Sequence, residues 1–186
     1  PGWPLFLAPF LSIINSDNET GISIMKISKE LDAGPVMKKI KIKIDETTTA
    51  DDLSKNLSKI SSDAIIQILD EIFDKKSKFI EQNHNFATYA KKIIKSEAKI
   101  NWNENAKKIL AKINGLNPDP GAWFLHKETR YKIWKAKILD KKGPIGVILD
   151  SNFTIGCKDK SLEIIEIQKE GKNKLQLKNF LRGINF

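Results

Sequence analysis

"KISKELDAGPVMKKIKIKI", residues 26–44, decides how the first part of this chain is read. Its second half alternates, with Ile40, Ile42 and Ile44 on one face and Lys39, Lys41 and Lys43 on the other. That period of two predicts a half-buried strand, and the lysine row suits a sheet edge where further pairing is discouraged. Just upstream, "TGISIMKI" (20–27) predicts a second strand, with Ile22 and Ile24 sharing a face. Between the two lie Glu30, Leu31, Asp32, Ala33, Gly34 and Pro35. Asp, Gly and Pro are turn residues for local reasons. A carboxylate at the C-terminal end of a strand is also where open α/β sheets bind ligands. Spacing alone leaves Asp32 open to both readings.

Downstream, "DETTTADD" (45–52) predicts a helix start: Thr49 and Asp52 match a capping box, and Asp51 and Asp52 fall where the helix dipole favours negative charge. Leu53, Leu57, Ile60, Ala64, Ile65, Ile68, Leu69, Ile72 and Phe73 recur at helical spacing. This stripe is expected to pack on a sheet as core. Two strands and one helix nevertheless offer too little surface to cover all of it. Residues 75–100 lose periodicity and read as a basic segment along a surface, with His84 exposed among asparagines. A short helix follows, capped by Asn103, with Ala106, Ile109, Leu110 and Ile113 apolar and Asn114-Gly115 at its end. Then come five strand-like runs, "AWFLH", "RYKIWKAKIL", "GVILD", "FTIGCKD" and "SLEIIEIQK", joined by short turns, and "LKNFLRG" as a terminal helical turn. Five short strands in under 60 residues suggest a small barrel of the oligonucleotide-binding type. His126 reads as a structural residue at a hairpin end, and Cys157 as buried filler with no base nearby in sequence.

Composition narrows the function classes. No apolar run reaches the roughly 18–20 residues that span a bilayer, and the prolines and missing basic residues of "PGWPLFLAPFLSII" argue against a signal peptide. The first residue is not Met, so a piece of a larger protein is expected. One cysteine suits a reducing cytoplasm, and two histidines with one cysteine are too few for most metal sites, so no metal is expected. Phosphate loops, dinucleotide turns and nucleophile elbows are missing. The net charge of +9 is unevenly placed. Residues 1–75 hold 9 Lys against 12 acidic residues, a net of −3. Residues 76–186 hold 21 Lys and 2 Arg against 11 acidic residues, a net of +12. A uniform lysine bias would not separate the halves by 15 charges, so two domains with different partners are expected.

"TGISIMKISKELDAGPVM" resembles a segment of the folate-dependent formyltransferases, in which Thr-Gly and Ile-Met lead into Leu-Asp-x-Gly. Tyr89-Ala90, Lys92, Glu97-Ala98, Ile100 and Trp102 stand at that family's spacing, and Asn117-Pro118, Pro120, Ala122-Trp123 and "KIWKA" (132–136) follow in its order. Over nearly the whole chain the pattern is similar to the methionyl-tRNA formyltransferase group. It departs at the start, where "PGWPLFLAPFL" keeps Pro1 and Trp3 but has Leu5, Phe6 and Leu7 in place of the family's Arg-Gly-Ala-Ala-Pro run.

The resemblance implies an α/β plus β fold: the C-terminal portion of a Rossmann-like formyltransferase domain over 1–78, a linker over 79–95, and a basic OB-like β-barrel binding tRNA over 96–186. It implies a monomeric cytoplasmic enzyme that moves a formyl group from 10-formyltetrahydrofolate to the amine of initiator methionyl-tRNA. Asp32 takes the place of the catalytic carboxylate, and Lys29, Glu30, Leu31, Asp32, Ala33 and Gly34 that of the loop enclosing the folate. The family's Asn-x-His partners would lie ahead of Pro1, so these residues alone would not complete the reaction. Neither His84 nor His126 matches that motif. Lys107, Lys108, Lys112, Arg130, Lys132, Lys135, Lys137, Lys141 and Lys142, interleaved with Tyr131 and Trp134, are the candidate tRNA contacts. The alternative for them is a solvated lysine face enriched by genome composition. Trp102, Trp123 and Trp134 read as core rather than base-stacking platforms. Two other functions fit the same residues: a non-catalytic RNA-binding remnant, and a related formyltransferase with another acceptor. The +12 half favours tRNA over a sugar nucleotide.

Overall fold

In a computed structural model, which describes residues 7–87 and 93–182, the alternating run becomes β2 (Val36–Lys43). It pairs antiparallel with β1 (Glu19–Met25), Ile22 opposite Ile40 and Thr20 opposite Ile42. Ile40, Ile42 and Ile44 are half-buried, whereas Lys39, Lys41 and Lys43 are exposed, as the alternation requires. Lys41 forms an ion pair with Glu19 on the solvent face. The ligand-end argument for open α/β sheets does not transfer, because this two-stranded sheet is an antiparallel hairpin. Asp32 lies in its connection. Beside β2, Val36 and Ile80 exchange both backbone hydrogen bonds (2.8 and 2.9 Å), so the chain after the next helix returns to this edge.

α1 (Leu7–Ile14) precedes the hairpin, and α2 (Ala50–Phe73) follows it. The capping box at α2 forms as read: the Asp52 N–H donates to the Thr49 hydroxyl, and the Thr49 N–H donates to the Asp52 carboxylate. Its first turns are buried through Ala50 and Leu53 against Ile13, Phe10, Ile42 and Ile44. The expectation that the whole stripe is core is corrected. Ala64 and Ile68 are buried, but Ile65, Ile66, Leu69, Ile72 and Phe73 are exposed, Phe73 to 88%. Two strands and α1 are too narrow to cover a helix of 24 residues.

The second core surrounds α3 (Ala106–Gly115). Here the structure corrects the cap. Asn105 holds the N-cap position and makes no side-chain cap bond; the Asp159 carboxylate accepts from the Ala106 N–H instead (2.8 Å). α3 packs on an antiparallel sheet ordered β3 (Ala122–His126), β4 (Thr129–Leu139), β6 (Ser161–Lys169) and β5 (Thr154–Gly156), and β7 (Leu175–Gln176) also pairs with β6. Lys127 and Glu128 both adopt positive φ (45° and 63°) between His126 and its partner Thr129, the two-residue turn that matches strand twist. The "GVILD" stretch forms no regular strand; isolated bridges from Ile145 to Gly156 and from Ile148 to Ile155 join it to β5, with the Gly146 and Leu149 N–H groups donating to the Gly156 and Thr154 carbonyls (2.9 and 2.7 Å). Pro144 and Gly146 (φ 74°) interrupt regular pairing there. α4 (Leu177–Leu181) supplies the expected terminal helical turn and buries Leu177 and Phe180.

The two cores meet along α1 and α3. Gly115 makes the close approach possible, since a Cβ there would lie 2.6 Å from Ile14 Cγ1. Asn114, buried on α3, donates to the Glu46 carbonyl (2.7 Å), and the Asp51 N–H donates to the Asn117 carbonyl (3.2 Å). Tyr89, Ala90 and Lys92 of the resemblance, with Pro1, Trp3, Leu5 and Phe6, lie outside the described residues.

Candidate functional site

The loop between β1 and β2 is closed at its neck by Lys26, whose N–H donates to the Pro35 carbonyl (3.0 Å). Gly34 is buried against this neck, where a Cβ would collide with the Lys26 carbonyl oxygen. The Ser28 hydroxyl donates to the Glu30 carbonyl (2.9 Å) and tightens the outer bend. Lys29, Glu30, Leu31 and Asp32 are exposed, and Ala33 is half-buried. Asp32 has φ 54°, a left-handed conformation that Asp and Asn tolerate better than most residues. The loop thus presents a carboxylate and an apolar side chain, Leu31, to solvent on a fixed base. Such a pair can accept a proton or hydrogen bond beside a flat apolar surface.

One side chain that the sequence reading passed over holds this loop. The Gln82 Nε2 donates to the Asp32 carbonyl (2.8 Å) and to the Gly34 carbonyl (2.7 Å). No sequence signal marks it, because its partners lie 48 and 50 residues away.

The candidate tRNA contacts divide into groups. On β4, the register shifts on either side of Lys135, so Trp134 is an extra residue opposite β6. The bulge reverses the alternation, leaving Arg130, Lys132, Lys135 and Lys137 outward and Tyr131, Ile133 and Trp134 buried. The Arg130 guanidinium lies over the Trp123 ring (4.6 Å to the centroid), and Lys132 Nζ over Trp134 (5.5 Å). Lys99 and Lys174, which the sequence reading did not choose, join them at 5.8 Å from Trp123 and 5.9 Å from Trp134. A cavity of about 250 Å³ opens here, lined by Arg130, Lys132, Gln168, Glu170 and Gly171. Carboxylates sit beside several of the cations: Glu104 on Lys108 (2.9 Å), Glu163 on Lys137 (3.1 Å), Asp150 on Lys141 (2.7 Å) and Glu170 near Arg130 (3.9 Å). Lys107 departs from the group and lines a cavity at the seam with Asp45 and Glu46. Lys112 donates to the Lys99 carbonyl (3.3 Å), and Lys142 is exposed. Trp134 is core as expected, whereas Trp102 and Trp123 are half-buried at its rim.

Burial pushes the Cys157 thiol up to about 11, with the Asp159 charge adding to the effect, so it is a poor nucleophile at neutral pH. His84 is exposed, and His126 is half-buried at its strand end. Among the described residues no group of three or more His, Cys, Asp or Glu could hold a metal, and no helix is long and apolar enough to cross a membrane.

Comparison with known proteins finds two family matches: "Formyl transferase" over residues 8–69 and "Formyl transferase, C-terminal domain" over 92–185. The chain is 47% identical over 173 residues to the methionyl-tRNA formyltransferase of Pelagibacter ubique, covering 92% of this chain and 56% of that protein. It is 35% identical over 177 residues to the methionyl-tRNA formyltransferase of Bradyrhizobium diazoefficiens, covering 93% and 57%. The chain therefore spans little more than half the length of these relatives. A similar solved structure is HypX from Aquifex aeolicus in complex with tetrahydrofolic acid, with a TM-score of 0.73 and 18% identity, covering 94% of this chain and 32% of that one. At that identity the likeness concerns the fold alone.

Proposed function

Because the chain belongs to the formyl transferase family, we propose that the full-length protein carrying it transfers a formyl group from 10-formyltetrahydrofolate to the amino group of initiator methionyl-tRNA. The observation that carries this reading is the joint match of both formyl transferase segments, with Asp32 exposed in the loop of the first. In the reaction the methionyl nitrogen attacks the formyl carbon, a new C–N bond forms, and the bond from that carbon to the folate nitrogen breaks. The attacking amine loses a proton and the leaving nitrogen gains one. Asp32 is the carboxylate that fixes and favours a charged imidazolium supplied by the family's Asn-x-His motif. Lys29 to Gly34 form the wall against the folate ring, with Leu31 as its apolar contact.

Residues 1–78 are the C-terminal portion of the catalytic domain, 79–95 its linker, and 96–186 an OB-like domain for tRNA, in a cytoplasmic monomer. The outward row Arg130, Lys132, Lys135 and Lys137 supports this; Lys108, Lys112, Lys141 and Lys142 are further candidate contacts, and Lys107, at the seam, adds nothing to that face. Formyl transfer by the full-length protein tests the reading. Asp32→Asn is expected to lower the rate by about 10²- to 10⁴-fold, the usual worth of a positioned acid–base group. Unchanged turnover would remove Asp32 from catalysis. RNA binding without transfer in the wild type would favour the remnant, and transfer to an amino sugar but not to tRNA would favour another acceptor.

A further inference from the structure

We propose that Gln82 is a positioning residue for Asp32, acting from outside the loop through two hydrogen bonds to its backbone. This rests on the reading of Asp32 as the catalytic carboxylate. The Asp32 loop is closed at its neck by one bond, Lys26 N–H to Pro35 carbonyl, and its residues 27–32 are all exposed. Asp32 takes its left-handed conformation (φ 54°) in a tight turn of this exposed loop, where its backbone direction decides where the carboxylate points. The Gln82 amide has two donors on one nitrogen, and both are used: one on the Asp32 carbonyl (2.8 Å) and one on the Gly34 carbonyl (2.7 Å). Bridging those two carbonyls fixes the Asp32–Ala33 and Gly34–Pro35 peptide planes, and the first of these borders Asp32, so it sets the direction in which that side chain leaves the backbone.

Gln82 is itself anchored. Two residues earlier, Ile80 exchanges both backbone hydrogen bonds with Val36 at the start of β2. Lys26 Nζ, at the opposite end of the loop, lies over the Phe79 ring (4.1 Å). Residues 79–82 therefore grip the loop from both ends, and Gln82 reaches over its middle. These residues fall between the two family matches, in a stretch whose composition reads as spacer. The geometry gives that stretch a task in catalysis.

A double-mutant cycle on formyl transfer by the full-length protein tests this. Gln82→Met keeps the side-chain length and removes both donors. It is expected to lower kcat about 10- to 100-fold, the scale of a misplacement near 1 Å, with KM for the tRNA substrate unchanged. In an Asp32→Asn background the same change is expected to lower the residual rate no further. A purely structural role would instead reduce the amount of folded protein and leave kcat per folded molecule intact, so rates are normalised to folded protein by circular dichroism. If Gln82→Met does not fold, the nearly isosteric Gln82→Glu takes its place. Unchanged kcat in the Gln82 variant beside a collapsed Asp32→Asn overturns this inference alone, as does a full multiplicative loss in the double variant. Full turnover in Asp32→Asn overturns the catalytic reading and this inference with it.

Discussion

Asp150 illustrates how single side chains set this structure. Its carboxylate accepts from the backbone N–H groups of Asn152 (3.1 Å) and Thr154 (3.2 Å) and from Lys141 Nζ (2.7 Å). The Lys141 hydrogen bond leads in holding its carboxyl near 2, below the ordinary 3.8. The folded state thus binds this proton less readily than the unfolded chain. Its contribution is fully present above about pH 4 and is lost as pH falls toward 2. Asp150→Asn should flatten the acid limb of a thermal-midpoint titration between those values, and an unchanged slope would contradict the assignment. That turn was legible because its partners are local in sequence. Asp159 was not, since its carboxylate caps a helix whose first residue lies 53 positions earlier. Asp32 was legible as a residue type and position, yet its left-handed backbone and its Gln82 clamp depend on contacts that no spacing records.

At the scale of elements, the capping box of α2 was readable because all its atoms lie within four residues. Thr49→Ala should cost about 1 kcal/mol in urea denaturation, and a loss below about 0.3 kcal/mol would show that the cap is redundant with packing. The apolar stripe of the same helix was readable as a pattern but not as core. Burial needs a partner surface: the N-terminal turns find one in α1 and the hairpin, Ala64 and Ile68 are also covered, and the rest of the stripe is left half-buried or exposed. β4 shows the converse. A strict alternation would have turned Lys135 and Lys137 inward, and the bulge at Trp134 keeps them outward. "GVILD" shows apolar composition overruled by its own first residue, Gly146 at φ 74°, and by Pro144 just before it.

Across the whole molecule, the separation of charge into a −3 part and a +12 part makes a specific claim on RNA binding. Each lysine in contact with phosphate releases condensed cations, so affinity falls with salt in proportion to their number. Lys132→Ala with Lys135→Ala should reduce the slope of log affinity against log salt by about 2 for tRNA binding by the full-length protein. An unchanged slope would leave those lysines as a solvated face. The tertiary structure refines which cations belong together: Lys99 and Lys174 join Arg130 and Lys132 around Trp123 and Trp134, and Lys107 turns to the seam with Asp45 and Glu46. The sequence by itself determined the two strands around Asp32, the long capped helix and most of the strands of the second sheet, because periodicity and turn chemistry act over a few residues. Only the tertiary structure decided which part of α2 is buried, what caps α3, and that Gln82 holds the Asp32 loop, because those contacts join residues that the chain keeps far apart.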